Sequence, residues 1–133
     1  CELAATRLLV DAGRLNALRA AFETSIIDRI PGTTINGRGA SRLSNTSNVS
    51  FDGLDGEMLT INLDLLGLAV STGAACSMAD HAPSHVLIAM GRTPDQARSS
   101  VRFSFGRENT ESDVLQAIEL VVRIVETMRG NRR

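Results

Sequence analysis

The spacing of apolar positions changes along this chain, and each change marks an element. Between Leu3 and Ile30, the residues Leu8, Leu15, Leu18, Phe22 and Ile26 follow one another at steps of seven, three, four and four. That spacing lines one stripe of a long α-helix. Gly13 is a point inside the run where the helix could weaken or kink, and Pro31-Gly32 ends it. Thr33-Thr34-Ile35 then predicts a short strand, Asn36-Gly37 a turn, and Arg38 to Ser44 a polar loop. The period falls to two over Thr46 to Phe51, where Ser47, Val49 and Phe51 alternate with Thr46, Asn48 and Ser50, predicting a second strand.

Asp55 is placed to cap a helix running to about Leu66, with Met58, Leu59, Ile61 and Leu65 apolar and Gly67 as its stop. Leu68 to Ser71 reads as a third, short strand. Pro83 suits the first turn of a short helix from Ser84 to Met90, which Gly91 ends, and Thr93-Pro94 begins a further turn. Val101, Phe103 and Phe105 alternate with Arg102 and Ser104, predicting a fourth strand with its apolar set inward and Arg102 on the opposite face. Thr110 followed by Asp113 has the form of a capping box. The helix beyond it carries Val114, Ala117, Ile118, Val121, Val122, Val125 and Met128. The pattern predicts an α+β fold in which helices cover one side of a three- or four-stranded sheet.

Composition narrows the possible chemistry. The length of 133 residues fits one domain able to bury a core. With no Trp or Tyr and only four Phe, that core must be mostly aliphatic. Net charge is −1 and no basic block precedes the terminal Arg129, Arg132 and Arg133, which argues against a nucleic-acid partner. Apolar runs such as Leu65 to Val70 are too short to span a bilayer, so no membrane association is expected. Two distant cysteines form neither a disulfide framework nor a zinc pattern, which fits a reduced cytoplasmic setting. The chain opens on Cys1, already inside a helical pattern, and so reads as a piece of something longer.

Cys76 lies among small residues, Ser71-Thr72-Gly73-Ala74-Ala75-Cys76-Ser77. A thiol with so little bulk around it can be presented to reagents, although a lone cysteine is also a common inert core residue. All 14 cationic side chains of the Lys/Arg class are Arg, so no residue of this chain can form a lysine Schiff base. On its residues alone, Arg102 reads as a surface salt-bridge residue. His81 and His85 are four apart, a metal-ligand spacing, but the intervening Pro83 and the lack of a third ligand argue against a metal. His85 beside Val86 and Leu87 reads as a structural histidine, and His81 either tunes Cys76 or is simply solvated. Asn36 and Asn48 read as turn and strand-end residues, and Arg107 as an anchor of the strand exit with room for an electrostatic role.

Three runs, Ser71 to Ser77, Pro83-Ser84-His85-Val86-Leu87 and Ser99 to Arg107, closely resemble the C-terminal region of cysteine desulfurases of the NifS/IscS type. The family pattern there is roughly S-S-G-S-A-C-T-S, E-P-S-H-V-L and S-S-I-R-F-S-L-G-R. Ile35-Asn36-Gly37 and Asn45 to Phe51 also resemble the family's I-N-G and N-x-x-N-V-S-F segments. Ala74, Met78 and Ala82 depart from it, standing where relatives have Ser, Ser or Gly, and Glu.

The resemblance implies the small C-terminal domain of a fold-type I enzyme dependent on pyridoxal 5'-phosphate (PLP), over residues 1–133, without the large cofactor-binding domain. It implies conversion of L-cysteine to L-alanine, with Cys76 capturing the sulfur as a persulfide and Arg102 holding the substrate carboxylate. The sulfur would pass to an acceptor such as an iron–sulfur scaffold protein, the full-length protein would be a homodimer, and this chain alone would be inactive. Apolar surface left uncovered where the large domain would sit is a further expectation. Two alternatives are a stand-alone sulfur-carrier module and the small domain of a related PLP lyase or aminotransferase.

Overall fold

The computed structural model describes residues 2–72 and 82–131, with side chains from Asp11 onward. Its order is α1 (Glu2–Arg29), β1 (Thr33–Ile35), β2 (Thr46–Phe51), α2 (Gly56–Asp64), α3 (His85–Ala89), α4 (Pro94–Arg98), β3 (Ser100–Ser104) and α5 (Glu111–Gly130). The helix α1 runs unbroken past Gly13. Its predicted stripe is the buried face, with Leu15, Leu18, Phe22 and Ile26 all in the core, while the side chain of Leu8 lies outside the described residues.

The three strands form one antiparallel sheet in the order β1-β2-β3, with Ile35 opposite Val49 and Val49 opposite Val101. Alternation then sorts the side chains. Ile35, Val49, Phe51, Val101 and Phe103 face α1 and α5, where Val114, Ile118, Val121 and Val125 complete the core. The ring of Phe22 meets those of Phe103 and Phe105 at centroid distances of 4.7 and 5.6 Å. Apolar burial is the main source of stability here, since each such side chain contributes about 1.5–3 kcal/mol when fully buried.

The predicted strand over 68–71 is not formed as such. The Leu68 N–H donates to the Leu63 carbonyl and the Gly67 N–H to that of Asp64, the pair of bonds that closes a helix after a residue of positive φ, here Gly67 at 82°. Leu68 thus still belongs to the closing turn of α2, and the segment joins the sheet only at Ser71, as a single bridge to Arg102. Thr93-Pro94 opens a full helical turn, α4, closed by a reciprocal capping box between Thr93 and Gln96. The Thr110–Asp113 capping box forms at the head of α5 as the sequence predicts.

Two details fix the sheet against the helices. A Cβ on Gly56 would stand 2.6 Å from the Arg98 carbonyl oxygen and 3.0 Å from that of Ser100, so only glycine lets the start of α2 touch the α4–β3 junction. Glu23 is buried on α1, where Arg42 grips it with two hydrogen bonds of 2.7 and 3.0 Å and the Ser47 hydroxyl donates a third at 2.7 Å. Burial acts to raise the Glu23 carboxyl, but the hydrogen bonds from Arg42 and Ser47 and the charges of Arg42 and Arg19 outweigh it and hold its pKa below the ordinary value. The contact pins the 38–44 loop onto α1. Large exposed apolar side chains gather on α2, with Met58 and Ile61, just past its end, with Leu65 and Leu66, and around α3, with Val86, Ile88 and Met90.

Candidate functional site

The face of the sheet turned away from α1 and α5 is polar. Asn36, Asn48, Ser50, Ser100 and Arg102 project from it, and the short helix α4 reaches it through the Gln96 carbonyl oxygen. Arg102 stands at the middle of β3 with its side chain exposed. Among the described residues no carboxylate pairs with its guanidinium, so the surface salt bridge allowed by the sequence is not formed. A planar guanidinium held on a strand has the geometry to pair with a carboxylate or phosphate through two parallel hydrogen bonds.

The backbone of Arg102 carries the second feature. Its N–H donates to the Ser71 carbonyl at 2.6 Å and its carbonyl accepts the Ser71 N–H at 3.1 Å. The root of the segment leading to Cys76 is therefore tied to the residue bearing the free guanidinium. Cys76 itself lies outside the described residues, as does His81.

Asn36 is a turn residue by backbone, as the sequence predicts, yet its side chain is 96% buried, as its 4% exposure shows. Its NH2 donates to Asn48 Oδ1 at 2.6 Å and lies 2.9 and 3.1 Å from the Ser50 and Ser100 hydroxyls. Those hydroxyls are 2.6 Å apart and both reach the Gln96 carbonyl. Sequence reasoning missed this network. Its signal was the polar set of β2, Thr46, Asn48 and Ser50, set against Ser100, Arg102 and Ser104 of β3: hydrogen-bonding residues where a merely solvated face would carry charges.

Arg107 lies at the strand exit and donates from Nε to the Asp11 carboxylate of α1 at 3.3 Å, while its carbonyl accepts a hydrogen bond from Arg14. It acts as the anchor that the sequence suggests. His85 opens α3 and is exposed, so it is not packed into the core.

The profile of the family described as Aminotransferase class-V matches residues 12–116, which takes in both edges of this site. The chain belongs to the class-V aminotransferase family. Within that family it is similar to cysteine desulfurases: it is 39% identical over 122 residues to Cysteine desulfurase 2 of Trichormus variabilis and 38% identical over 130 residues to Cysteine desulfurase IscS of Clostridium botulinum. Those alignments cover 92% and 96% of this chain but 31% and 33% of the relatives, so the chain spans about a third of the length of the curated relatives it matches. Its fold is similar to that of a NifS-like protein from Rickettsia africae, with a TM-score of 0.81 and 27% identity over 93% of this chain and 31% of that one. This class-V chain thus has the α+β architecture expected from its alternating patterns. Among the described residues, no helix is long and apolar enough to cross a membrane.

Proposed function

We propose that this chain is the small C-terminal domain of a PLP-dependent cysteine desulfurase, in which Arg102 holds the carboxylate of L-cysteine and Cys76 receives its sulfur. The observation that carries this reading is the backbone bridge between Ser71 and Arg102. It ties an exposed guanidinium, which has no counter-ion among the described residues, to the root of the segment bearing the thiol. Cys76 is five positions beyond Ser71, a reach of about 17 Å in extended chain, enough for a thiol to approach an amino acid held at Arg102.

The cofactor finds no covalent anchor in these 133 residues, because none is Lys. We assign that anchor to the part of the protein corresponding to the remaining two thirds of the relatives' length. When bound, PLP would supply the electron sink that allows a carbon–sulfur bond to break. The residues of this chain do the rest. Arg102 orients the substrate through its carboxylate, and the Cys76 thiolate attacks the substrate sulfur. The carbon–sulfur bond breaks, a sulfur–sulfur bond forms, and the proton of the Cys76 thiol ends on the methyl group of L-alanine. Cys76 is left as a persulfide, whose outer sulfur is then open to an acceptor thiol such as that of an iron–sulfur scaffold protein. The apolar side chains on α2 and around α3 fit a face covered by the rest of the protein in a cytoplasmic homodimer.

The test uses the intact protein with PLP and L-cysteine. Alanine should form with one sulfur added to Cys76, and Cys76→Ser should abolish that sulfur while the cofactor stays bound. Continued sulfur delivery by Cys76→Ser would overturn the assignment. The 133-residue chain by itself should make no alanine under the same conditions.

A further inference from the structure

The hydrogen bonds on the polar face of the sheet run in a fixed direction. They end at the Gln96 carbonyl, which can only accept. Ser100 donates to it at 2.7 Å, and the 2.6 Å contact between the Ser50 and Ser100 hydroxyls then takes the Ser50 proton, so that Ser50 donates to Ser100 and Ser100 to the carbonyl. Both hydroxyl oxygens are then left as acceptors, and both lie against Asn36 Nδ2. The Asn36 amide is thereby oriented with its NH2 inward, and that NH2 also reaches Asn48 Oδ1 at 2.6 Å. The Asn36 backbone N–H holds the Asn48 carbonyl as well, at 2.8 Å. Asn48 is thus fixed with its oxygen toward Asn36 and its own NH2 turned away.

That NH2 has no acceptor among the described residues, and Asn48 is only half-buried. Directly opposite it on the ladder stands Arg102. The hydrogen-bonding groups of Arg102 are spent on Ser71 at the other edge, which makes Asn48 and Arg102 a non-hydrogen-bonded pair. Such pairs bring side chains closest, with Cα atoms about 4.5 Å apart. Two neighbouring donor groups on one face, with no acceptor for either among the described residues, suit an anion that presents two oxygens.

We propose that Asn48 is a second carboxylate-binding residue, its side-chain NH2 donating to one substrate oxygen while Arg102 engages the other, with Asn36 as the positioning residue that aims it. This rests on the reading of Arg102 as the carboxylate-binding group. The Asn36–Ser50–Ser100–Gln96 chain then serves to choose which end of the Asn48 amide meets the substrate. An acceptor presented there would repel a carboxylate.

The test is calorimetric binding of L-alanine and of L-alaninamide, which lacks the carboxylate, to the intact protein, together with KM and kcat for L-cysteine. Asn48→Ala should weaken L-alanine binding and raise KM about 10-fold, the loss of one hydrogen bond to a charged group. L-Alaninamide binding should stay within about 2-fold, and kcat should move less than KM. Asn48→Asp keeps the shape and the oxygen that accepts from Asn36, so it preserves the fold while removing the donor and placing a carboxylate against Arg102. It should weaken L-alanine about 100-fold, because Arg102 then has an internal partner as well. Unchanged L-alanine binding in Asn48→Asp, or an equal loss for both ligands in Asn48→Ala, overturns the proposal. If the wild-type protein binds L-alanine with these Asn48 effects but forms no alanine from L-cysteine, the desulfurase reading fails and the clamp is supported. If it turns over L-cysteine and the Asn48 variants bind as the wild type does, the clamp alone fails.

Discussion

The two faces of the β1-β2-β3 sheet are built from alternate residues of the same strands, yet they follow different physical rules. On the inner face, Val49, Phe51, Val101 and Phe103 are almost wholly removed from water and meet Phe22, Leu18 and the α5 stripe. Interchangeable apolar bulk suffices there, because the driving force is non-directional. On the outer face, Asn36, Asn48, Ser50 and Ser100 are joined by hydrogen bonds whose donors and acceptors must match one by one. The guanidinium of Arg102, beside them, has no side-chain partner among the described residues. The inner face holds the fold, and the outer face, in the function we propose, holds an orientation for a bound carboxylate.

The comparison breaks first at the core. Phe22→Ala removes the ring that packs on both Phe103 and Phe105 and should cost about 3–5 kcal/mol, read as a lower melting temperature or denaturant midpoint. The ligand preference of the folded protein should stay as it was. Arg102→Ala should do the converse. As an exposed residue it should change stability by less than about 0.5 kcal/mol, while kcat/KM for L-cysteine falls about 100-fold. A large stability loss in Arg102→Ala would show that the outer face is structural after all.

Glu23 sharpens the contrast, because it is a charged group on the inner side. Glu23→Gln leaves Arg42 without its counter-ion and should cost about 2 kcal/mol, less than for a fully buried pair because the guanidinium stays partly wet. The depressed folded-state pKa of Glu23 gives a stabilising contribution that is complete above the unfolded value near 4.5 and is lost as pH falls through the lower folded one. In Glu23→Gln that part of the acid limb of the stability profile should flatten. Thr110→Ala, which removes the cap of α5 without touching either face, should have the smallest effect, about 1 kcal/mol with unchanged turnover.

Much of this molecule was legible in the sequence where one local rule decides the outcome. The stripe from Leu15 to Ile26, the alternation in β2 and β3 and the Thr110–Asp113 box each form as their spacing predicts. The 68–71 strand is reduced to one bridge at Ser71, because Leu68 still belongs to the closing turn of α2 and so shortens the extended run. Glu23 looked like one more solvated charge on a helix, since its burial depends on Arg42 and Ser47, which are distant in sequence. Asn36 was legible as a turn by its dipeptide with Gly37, but its burial required knowing that Ser50 and Ser100 are opposed across the ladder. Of the site, Arg102 was placed on the correct face by alternation alone. Asn48 reads in the sequence as a turn or strand-end residue but stands inside β2 opposite Arg102, and a polar residue on a strand carries no sign of which way its amide points.

The bond between Ser71 and Arg102 uses only main-chain atoms, so it is indifferent to which side chain occupies position 71 provided that residue keeps its N–H. Proline is the exclusion. The joint is thus written into the main chain of β3, and the place where the following segment leaves the sheet is set without reference to any side chain.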